Sequence, residues 1–376
     1  MNPEIIIKQL IKYQPQNKDD IEIFKHKLCK EYHLNAIYNN ELLSFYQILV
    51  KNQTIKPQPW LEKLLIGKNT RSLSGVSVIT LASKPYPCPG NCLYCPTQKS
   101  VPKSYLNNEP AILRAIRHNY DPTLQVSERL KVLQLNGHPT DKLEIIIIGG
   151  TFSFFTKRYQ SQFIKEIFDA CNAHKSKTLE LSQKLNEKSK NRIIGLTIET
   201  RPDFITPQEI KHLRHLGVTR VELGVQSIYD DILKLNQRGH LISTTITATK
   251  LLKDAGFKIC YHMMPNLYGS NPKKDLAMFK ELFSNQNFQP DMLKIYPCMV
   301  MKEANLYKIY QQGLYKPYTY QTLSKLLKAI LITLPPYVRV QRLIRDIPAQ
   351  SIMGGIKISN LRDIIEKELI KDNQKV

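Results

Sequence analysis

From about residue 73 to residue 300 the chain repeats one pattern: short Val- and Ile-rich runs alternate with longer stretches of helical periodicity. Few folds tolerate this. Apolar strands separated by helices bury both faces of a sheet, and strands joined by helical crossovers run parallel. The expected strands are 76–81, 144–148, 193–198, 220–224, 258–263 and 292–296. The expected helices are 112–119, 127–134, 161–173, 207–215, 245–255 and 273–282. Six such units predict an α/β fold, a partial or complete TIM-like barrel. Its active site is then expected at the carboxyl ends of the strands.

Two flanking regions complete the chain. Residues 1–70 carry apolar residues at helical spacing (Ile5, Ile6 and Leu10; Ile21, Ile23, Phe24 and Leu28; Leu42, Leu43, Phe45 and Ile48) and end near Pro57 and Pro59. They predict a small helical N-terminal region. The barrel core is assigned to 71–300. Residues 301–376 hold 13 basic and 6 acidic residues and form a basic C-terminal extension of the core, with a helix over 323–332 and a strand-like run over 337–344.

Charge narrows the partners. Lys and Arg number 54 against 32 Asp and Glu, a formal charge of +22. Such a surface suits a polyanion, nucleic acid before an anionic membrane. A Lys-rich solvated surface is the plain alternative. No apolar run reaches the about 18 residues that a membrane span needs, and no secretory signal pattern opens the chain. Seven cysteines, three of them within eight residues, read as a metal site in a reducing, cytoplasmic compartment and not as a disulfide framework.

Those three are Cys88, Cys92 and Cys95, spaced C-x3-C-x2-C directly after the first strand. A closed structural zinc site wants four protein ligands, and no fourth Cys or His lies nearby in sequence. A 4Fe–4S cluster on three thiolates leaves one iron open. That iron can take the amino and carboxylate groups of S-adenosylmethionine. Zinc with a distant fourth ligand, or three unrelated thiols, are the alternatives. Tyr94 fits a cover for the bound nucleoside or an ordinary packing residue.

Unusual residues recur at the other strand ends. Gly149, Gly150 and Thr151 follow the second strand, where glycines let a ligand approach the backbone. Glu199 and Arg201 end the third; Arg201 suits a carboxylate or phosphate, or a structural pair with Glu199. Gln226 and Ser227 end the fourth and offer groups for ribose hydroxyls or an amino-acid carboxylate. Arg238-Gly239-His240 follows. His262 ends the fifth strand, where it reads equally as a hydrogen-bonded core histidine, and Lys294-Ile-Tyr296 ends the sixth.

Taken in order, these residues resemble the radical S-adenosylmethionine (SAM) enzymes, and more narrowly the Elongator catalytic-subunit family, which carboxymethylates tRNA uridine. The resemblance runs from about Lys68 to Arg362. It includes Arg71-Ser-Leu-Ser-Gly75, Glu109-Pro110, Arg114-Ala115, Tyr120-Asp121-Pro122, Lys142 ahead of Gly149, Ile198–Asp203, Gly224–Ser227, Arg238–His240, His262–Pro265, Lys294–Pro297 and Gln341–Pro348. It implies a 4Fe–4S cluster on Cys88, Cys92 and Cys95, and cofactor contacts from Gly149, Gly150, Thr151, Glu199, Arg201, Gln226, Ser227 and Lys142. It implies acetyl-CoA as cosubstrate, with Lys142 and Tyr296 as the catalytic side chains. The implied reaction cleaves S-adenosylmethionine to a 5′-deoxyadenosyl radical. That radical takes hydrogen from the acetyl methyl; the carbon radical adds to C5 of the wobble uridine, and thioester hydrolysis leaves a carboxymethyl group. tRNA is the implied partner, on a phosphate track supplied by the basic regions at both ends. The family continues beyond the segment matching Asn360–Arg362 into an acetyltransferase-like domain. The expectation here is a separate subunit carrying that domain, or a shortened chain; a radical core acting on another donor is the third reading. Another radical SAM reaction on RNA or a small metabolite, and a non-catalytic tRNA-binding module, are the competing functions.

Overall fold

The computed structural model describes residues 3–33, 36–66 and 72–374. Lys68 and Arg71, where the family resemblance begins, lie outside them.

The N-terminal region is four helices: α1 Pro3–Tyr13, α2 Lys18–Glu31, α3 Asn39–Lys51 and α4 Pro59–Leu65. Asn17 starts α2 through a capping box, its side chain accepting from Asp20 N while Asp20 answers the cap's backbone. These helices have their own core, built from Ile7, Leu10, Ile21, Leu42, Leu43, Tyr46, Leu61 and Leu65. The α3 helix packs against the Pro122–Leu135 helix of the larger core.

Seven parallel strands form the central sheet: β1 Ser77–Ala82, β2 Lys142–Ile148, β3 Arg192–Thr200, β4 Arg220–Gln226, β5 Lys258–Met263, β6 Met292–Ile295 and β8 Arg339–Arg342, hydrogen-bonded in that order. Short β7 (Val300–Met301) and β9 (Ile352–Gly354) pair antiparallel apart from it. The helices between strands are α5 Pro110–Arg117, α6 Pro122–Leu135, α7 Lys157–Asn172, α8 Leu179–Asn186, α9 Pro207–His215, α10 Asp230–Leu235, α11 Ile242–Asp254, α12 Pro272–Ser284, α13 Leu306–Gln311 and α14 Tyr320–Thr333; α15 Leu361–Lys371 closes the chain. Three helices start with the same device, a side-chain cap followed by proline. Asp121 accepts from Leu124 N, Thr206 from Glu209 N and Asn271 from Lys274 N. Proline costs nothing at that position, where its missing N–H has no helical partner.

Among the described residues β1 and β8 do not pair, so the barrel is partial and open on one side. The strands also depart from the uniformly apolar runs expected of them. Ile79, Leu81, Ile145, Ile147, Val221, Leu223, Ile259, Tyr261, Leu293 and Ile295 turn outward into the core beneath the helices. Their alternate neighbours Thr80, Glu144, Glu222, His262, Lys294 and Gln341 line a central cavity of about 720 Å³. A filled barrel stacks branched apolar side chains inside. This one keeps polar groups there, because the two-residue strand period sends the charged residues inward.

Candidate active site

The cysteine loop lies across the carboxyl ends of the strands, between β1 and α5. It contains no regular structure, and tethers from elsewhere fix it. Leu93 N donates to Asn236 O after α10, Leu306 N at the start of α13 donates to Leu93 O, and Thr97 N donates to Glu303 O. Cys92, Leu93 and Tyr94 are buried against Ile232, Leu267, Cys298, Val300 and Tyr315. Cys88, Cys92 and Cys95 all line the cavity.

Each sulfur has a polar neighbour. Gly90 N donates to Cys88 Sγ at 3.5 Å, Arg238 Nη1 to Cys92 Sγ at 3.5 Å, and Cys95 Sγ lies 3.0 Å from Ser104 Oγ. The Cys92 thiol is pulled down to about 4, first by the hydrogen bond from Cys95 and then by the Arg238 cation, against the opposing effect of burial. Cys95, as the donor of that pair, is pushed up. A low thiol of this kind is a ready metal ligand.

The remaining predicted residues divide. Gly150, Thr151, Glu199, Arg201, Gln226 and Tyr296 line the cavity with the cysteines. Gly150 has φ +96° and Gly149 φ +130°, values that side chains rarely adopt. Gly149 does not itself line the cavity; a Cβ on it would overlap Ser83. Arg201 grips Asp203 through Nε and Nη2, each at 2.9 Å, while its Nη1 is buried without a partner beside Gly90. Gln226 has φ +73°, an uncommon left-handed value for a non-glycine, and its Oε1 is also buried and unpartnered. Ser227 is turned away, accepting from Tyr229 N at 3.2 Å.

Lys142 is not brought to this site. It is the first residue of β2, so it stands at the opposite end of the strand from the cysteine loop, exposed and paired with Asp141 at 3.0 Å. Among the described residues, the lysine that lines the cavity is Lys294. Its Nζ donates to Glu222 Oε2 and lies 3.9 Å from Glu199 Oε1. His262 Nε2 is 2.8 Å from the same Glu222 oxygen, and Tyr105 donates to Glu199 Oε2 at 2.8 Å. Burial disfavours both charges of the Lys294–Glu222 pair. Their mutual attraction outweighs it, holding the carboxyl well below and the ammonium well above their usual ranges. Tyr296 stands edge-on to the His262 ring, centroids 5.5 Å apart, its hydroxyl pushed up to about 12 by burial.

His262 and Lys294 were visible as strand-end residues; Glu222, within β4, was not singled out. The two-residue period along β4 to β6 puts all three on the inward face, a reading that needs the register between the strands as well as the sequence. Tyr105, in an irregular loop, left no such signal.

Two groups of ligands can be compared for a metal. Glu222, Cys260 and His262 place their ligand atoms within 4.8 Å of one another. Glu222 is already neutralised by Lys294, which makes this trio an ion-paired network. The three loop sulfurs do not meet that single-ion spacing among the described residues. Soft thiolates spread over one loop, beside the unpartnered Arg201 Nη1 and Gln226 Oε1, fit an iron–sulfur cluster and a polar ligand next to it.

Comparison with known proteins agrees with this geometry. The Radical SAM superfamily pattern matches residues 86–282, and the Radical SAM C-terminal domain matches 290–371. The chain belongs to the radical SAM superfamily, whose members carry a 4Fe–4S cluster and S-adenosylmethionine. It is 42% identical to the tRNA uridine(34) acetyltransferase of Methanocaldococcus infernus, over 98% of this chain and 69% of that protein. It is 36% identical to Elongator complex protein 3 of Homo sapiens, over 96% of this chain and 67% of that protein. The solved archaeal Methanocaldococcus infernus Elp3 with an N-terminal deletion superposes with a TM-score of 0.71 at 42% identity, covering 80% of this chain and 64% of that one. Within the superfamily, this chain belongs to the family of these tRNA uridine(34) acetyltransferases and Elongator complex protein 3. It spans about two thirds of its relatives' length.

Proposed function

We propose that the cavity carries out a radical S-adenosylmethionine reaction that puts a carboxymethyl group, derived from acetyl-CoA, on C5 of the wobble uridine of tRNA. The observation that carries this reading is the three-cysteine loop over the mouth of a polar half-barrel, with unpartnered Arg201 and Gln226 atoms beside it. Cys88, Cys92 and Cys95 hold the cluster, which when bound supplies the electron that splits the sulfonium cofactor.

Around it the chain's own groups bind and orient. The backbone at Gly150 and Thr151 meets the cofactor's amino group. Arg201 Nη1 meets a carboxylate, and Gln226 Oε1 accepts from a ribose hydroxyl. Glu199 is held by Tyr105, which fixes its orientation toward the cofactor. Lys294, which lines the cavity, meets the acetyl thioester, with Tyr296 next to it across His262. The Glu222 contact keeps Lys294 charged and its position fixed. The names of the relatives support tRNA as the substrate. Hydrolysis of the thioester falls to an acetyltransferase-like domain. The seven free cysteines suit a reducing, cytoplasmic setting, and no helix among the described residues is long and apolar enough to cross a membrane.

The test is nucleoside analysis of tRNA after anaerobic incubation with reconstituted protein, S-adenosylmethionine, a one-electron reductant and acetyl-CoA, with an acetyltransferase-like domain supplied. Carboxymethylated uridine at the wobble position is expected, and its loss in Cys92→Ala. Unmodified tRNA alongside full 5′-deoxyadenosine formation would instead favour a different substrate.

A further inference from the structure

Arg238 follows the turn after α10 and is 6% exposed. Its guanidinium makes a fork between two parts of the site. Nη1 donates to Cys92 Sγ at 3.5 Å and Nη2 donates to the Gly224 carbonyl at 2.5 Å, while Nε is buried with no partner. The anionic partner its guanidinium reaches is the Cys92 sulfur, with Cys95 on the same loop. No carboxylate pairs with it among the described residues. Room for the fork comes from Gly224, where a Cβ would stand 2.7 Å from Nη2 and 3.0 Å from Gln226 Nε2.

A buried guanidinium without a carboxylate is expensive unless another negative group compensates it. Here the compensating groups are the loop sulfurs. Net charge and hydrogen bonds to the sulfurs are among the features that set the potential of an iron–sulfur centre. We propose that Arg238 is the built-in counter-charge of the cluster loop and raises the cluster's reduction potential, while its tie to Gly224 holds the charge in register with the strand that ends at Gln226. The proposal rests on the three-cysteine cluster described above. The couple concerned is a one-electron reduction. One electron passes from an external low-potential one-electron carrier, which is oxidised, to the cluster, which gains one negative charge. No proton moves, because the guanidinium stays charged throughout. The cation stabilises the more negative reduced form more than the oxidised form.

Its removal therefore makes the cluster harder to reduce. Wild type, Arg238→Gln and Arg238→Lys are reconstituted anaerobically, matched for iron and sulfide content, and titrated with the reduced signal followed by electron paramagnetic resonance. At a poise where the wild type is half reduced, Arg238→Gln is expected to lower the reduced-to-oxidised ratio tenfold or more, equivalent to about 59 mV for one electron. Arg238→Lys falls between, since it keeps the charge and loses the fork. Equal midpoints for wild type and Arg238→Gln overturn the proposal. If Arg238→Gln fails to load iron, two measurements decide. The Arg238→Lys midpoint is expected below wild type, and wild type labelled with [15N]arginine is expected to show nitrogen hyperfine coupling on the reduced cluster that Arg238→Lys loses. An unlabelled-like spectrum in the labelled wild type overturns the proposal. Failure of the cluster reading looks different: no iron–sulfur signal that depends on Cys88, Cys92 and Cys95 in the wild type itself.

Discussion

His240 sits beside Arg238, Arg201 and Asp203, with Nε2 buried and unpartnered. Burial, and then the Arg238 cation, push its imidazole down to about 4 from the usual 6.5. The folded protein therefore keeps His240 neutral where the unfolded chain takes up a proton. The stability linked to this site is complete above pH 6.5 and is lost as pH falls toward 4. Between pH 7.5 and 5 the loss amounts to roughly 2 kcal/mol. Urea unfolding of the metal-free protein is expected to show that slope, and His240→Asn to flatten it; an equal slope in the variant contradicts the assignment. At this scale the sequence was most informative where a motif sat on one short loop, as with Cys88, Cys92 and Cys95. It was least informative where end-of-strand geometry decides. Lys142 and Lys294 are both strand lysines, but Lys142 starts its strand and Lys294 lies near the end of its own. Only the latter reaches the mouth of the barrel. Ser227 sits in the right motif yet turns toward the Tyr229 backbone, and Gly149 stands against Ser83.

Elements were read with similar unevenness. The strand Lys258–Met263 and the helix Pro207–His215 carry clear boundary signals, turn residues on one side and a Thr-Pro cap on the other, and fall where the periodicity put them. The run over 337–344 yields a four-residue strand that pairs with β6 and extends the sheet to seven. The two- and three-residue strands β7 and β9 are too short to carry a period. The seam that holds the open barrel was also invisible in the sequence, because it joins residues far apart. Arg345, after β8, reaches across to Glu109 at the start of α5, Nη2 to Oε1 at 2.7 Å, and also donates to Ser104 O. Glu109 is buried, so removing its partner leaves an uncompensated charge. Arg345→Ala is expected to destabilise the fold by about 3–5 kcal/mol, read as a lowered denaturation midpoint with an unchanged urea slope. A change below 1 kcal/mol, within the range of a surface pair, would show that the seam is not closed by this contact.

The whole molecule presents a surplus of +22 charges and a helical N-terminal unit with its own core. Exposed Lys12, Lys27 and Lys30 on α1 and α2 contribute to that surface. If the helices form part of a phosphate track, reversing these three lysines to Glu weakens tRNA binding. The slope of log affinity against log salt then falls by about 2, at roughly 0.7–0.9 for each phosphate no longer neutralised. An unchanged slope places the tRNA elsewhere. S-adenosylmethionine cleavage in the same variant is expected to stay at the wild-type rate, because the cysteine loop rests on a different core. The broad architecture was legible because strand and helix alternation and the cysteine spacing point to one class. The polar interior was not, since it emerges only when six strands bring their inward residues together. The account depends most on an iron that the protein leaves open. Mössbauer spectroscopy of iron-57-reconstituted protein, with and without S-adenosylmethionine, tests this most directly. One iron of a 4Fe–4S cluster is predicted to change its isomer shift when the cofactor is added. A spectrum that does not respond, or a loop that takes up zinc in place of iron, would contradict it.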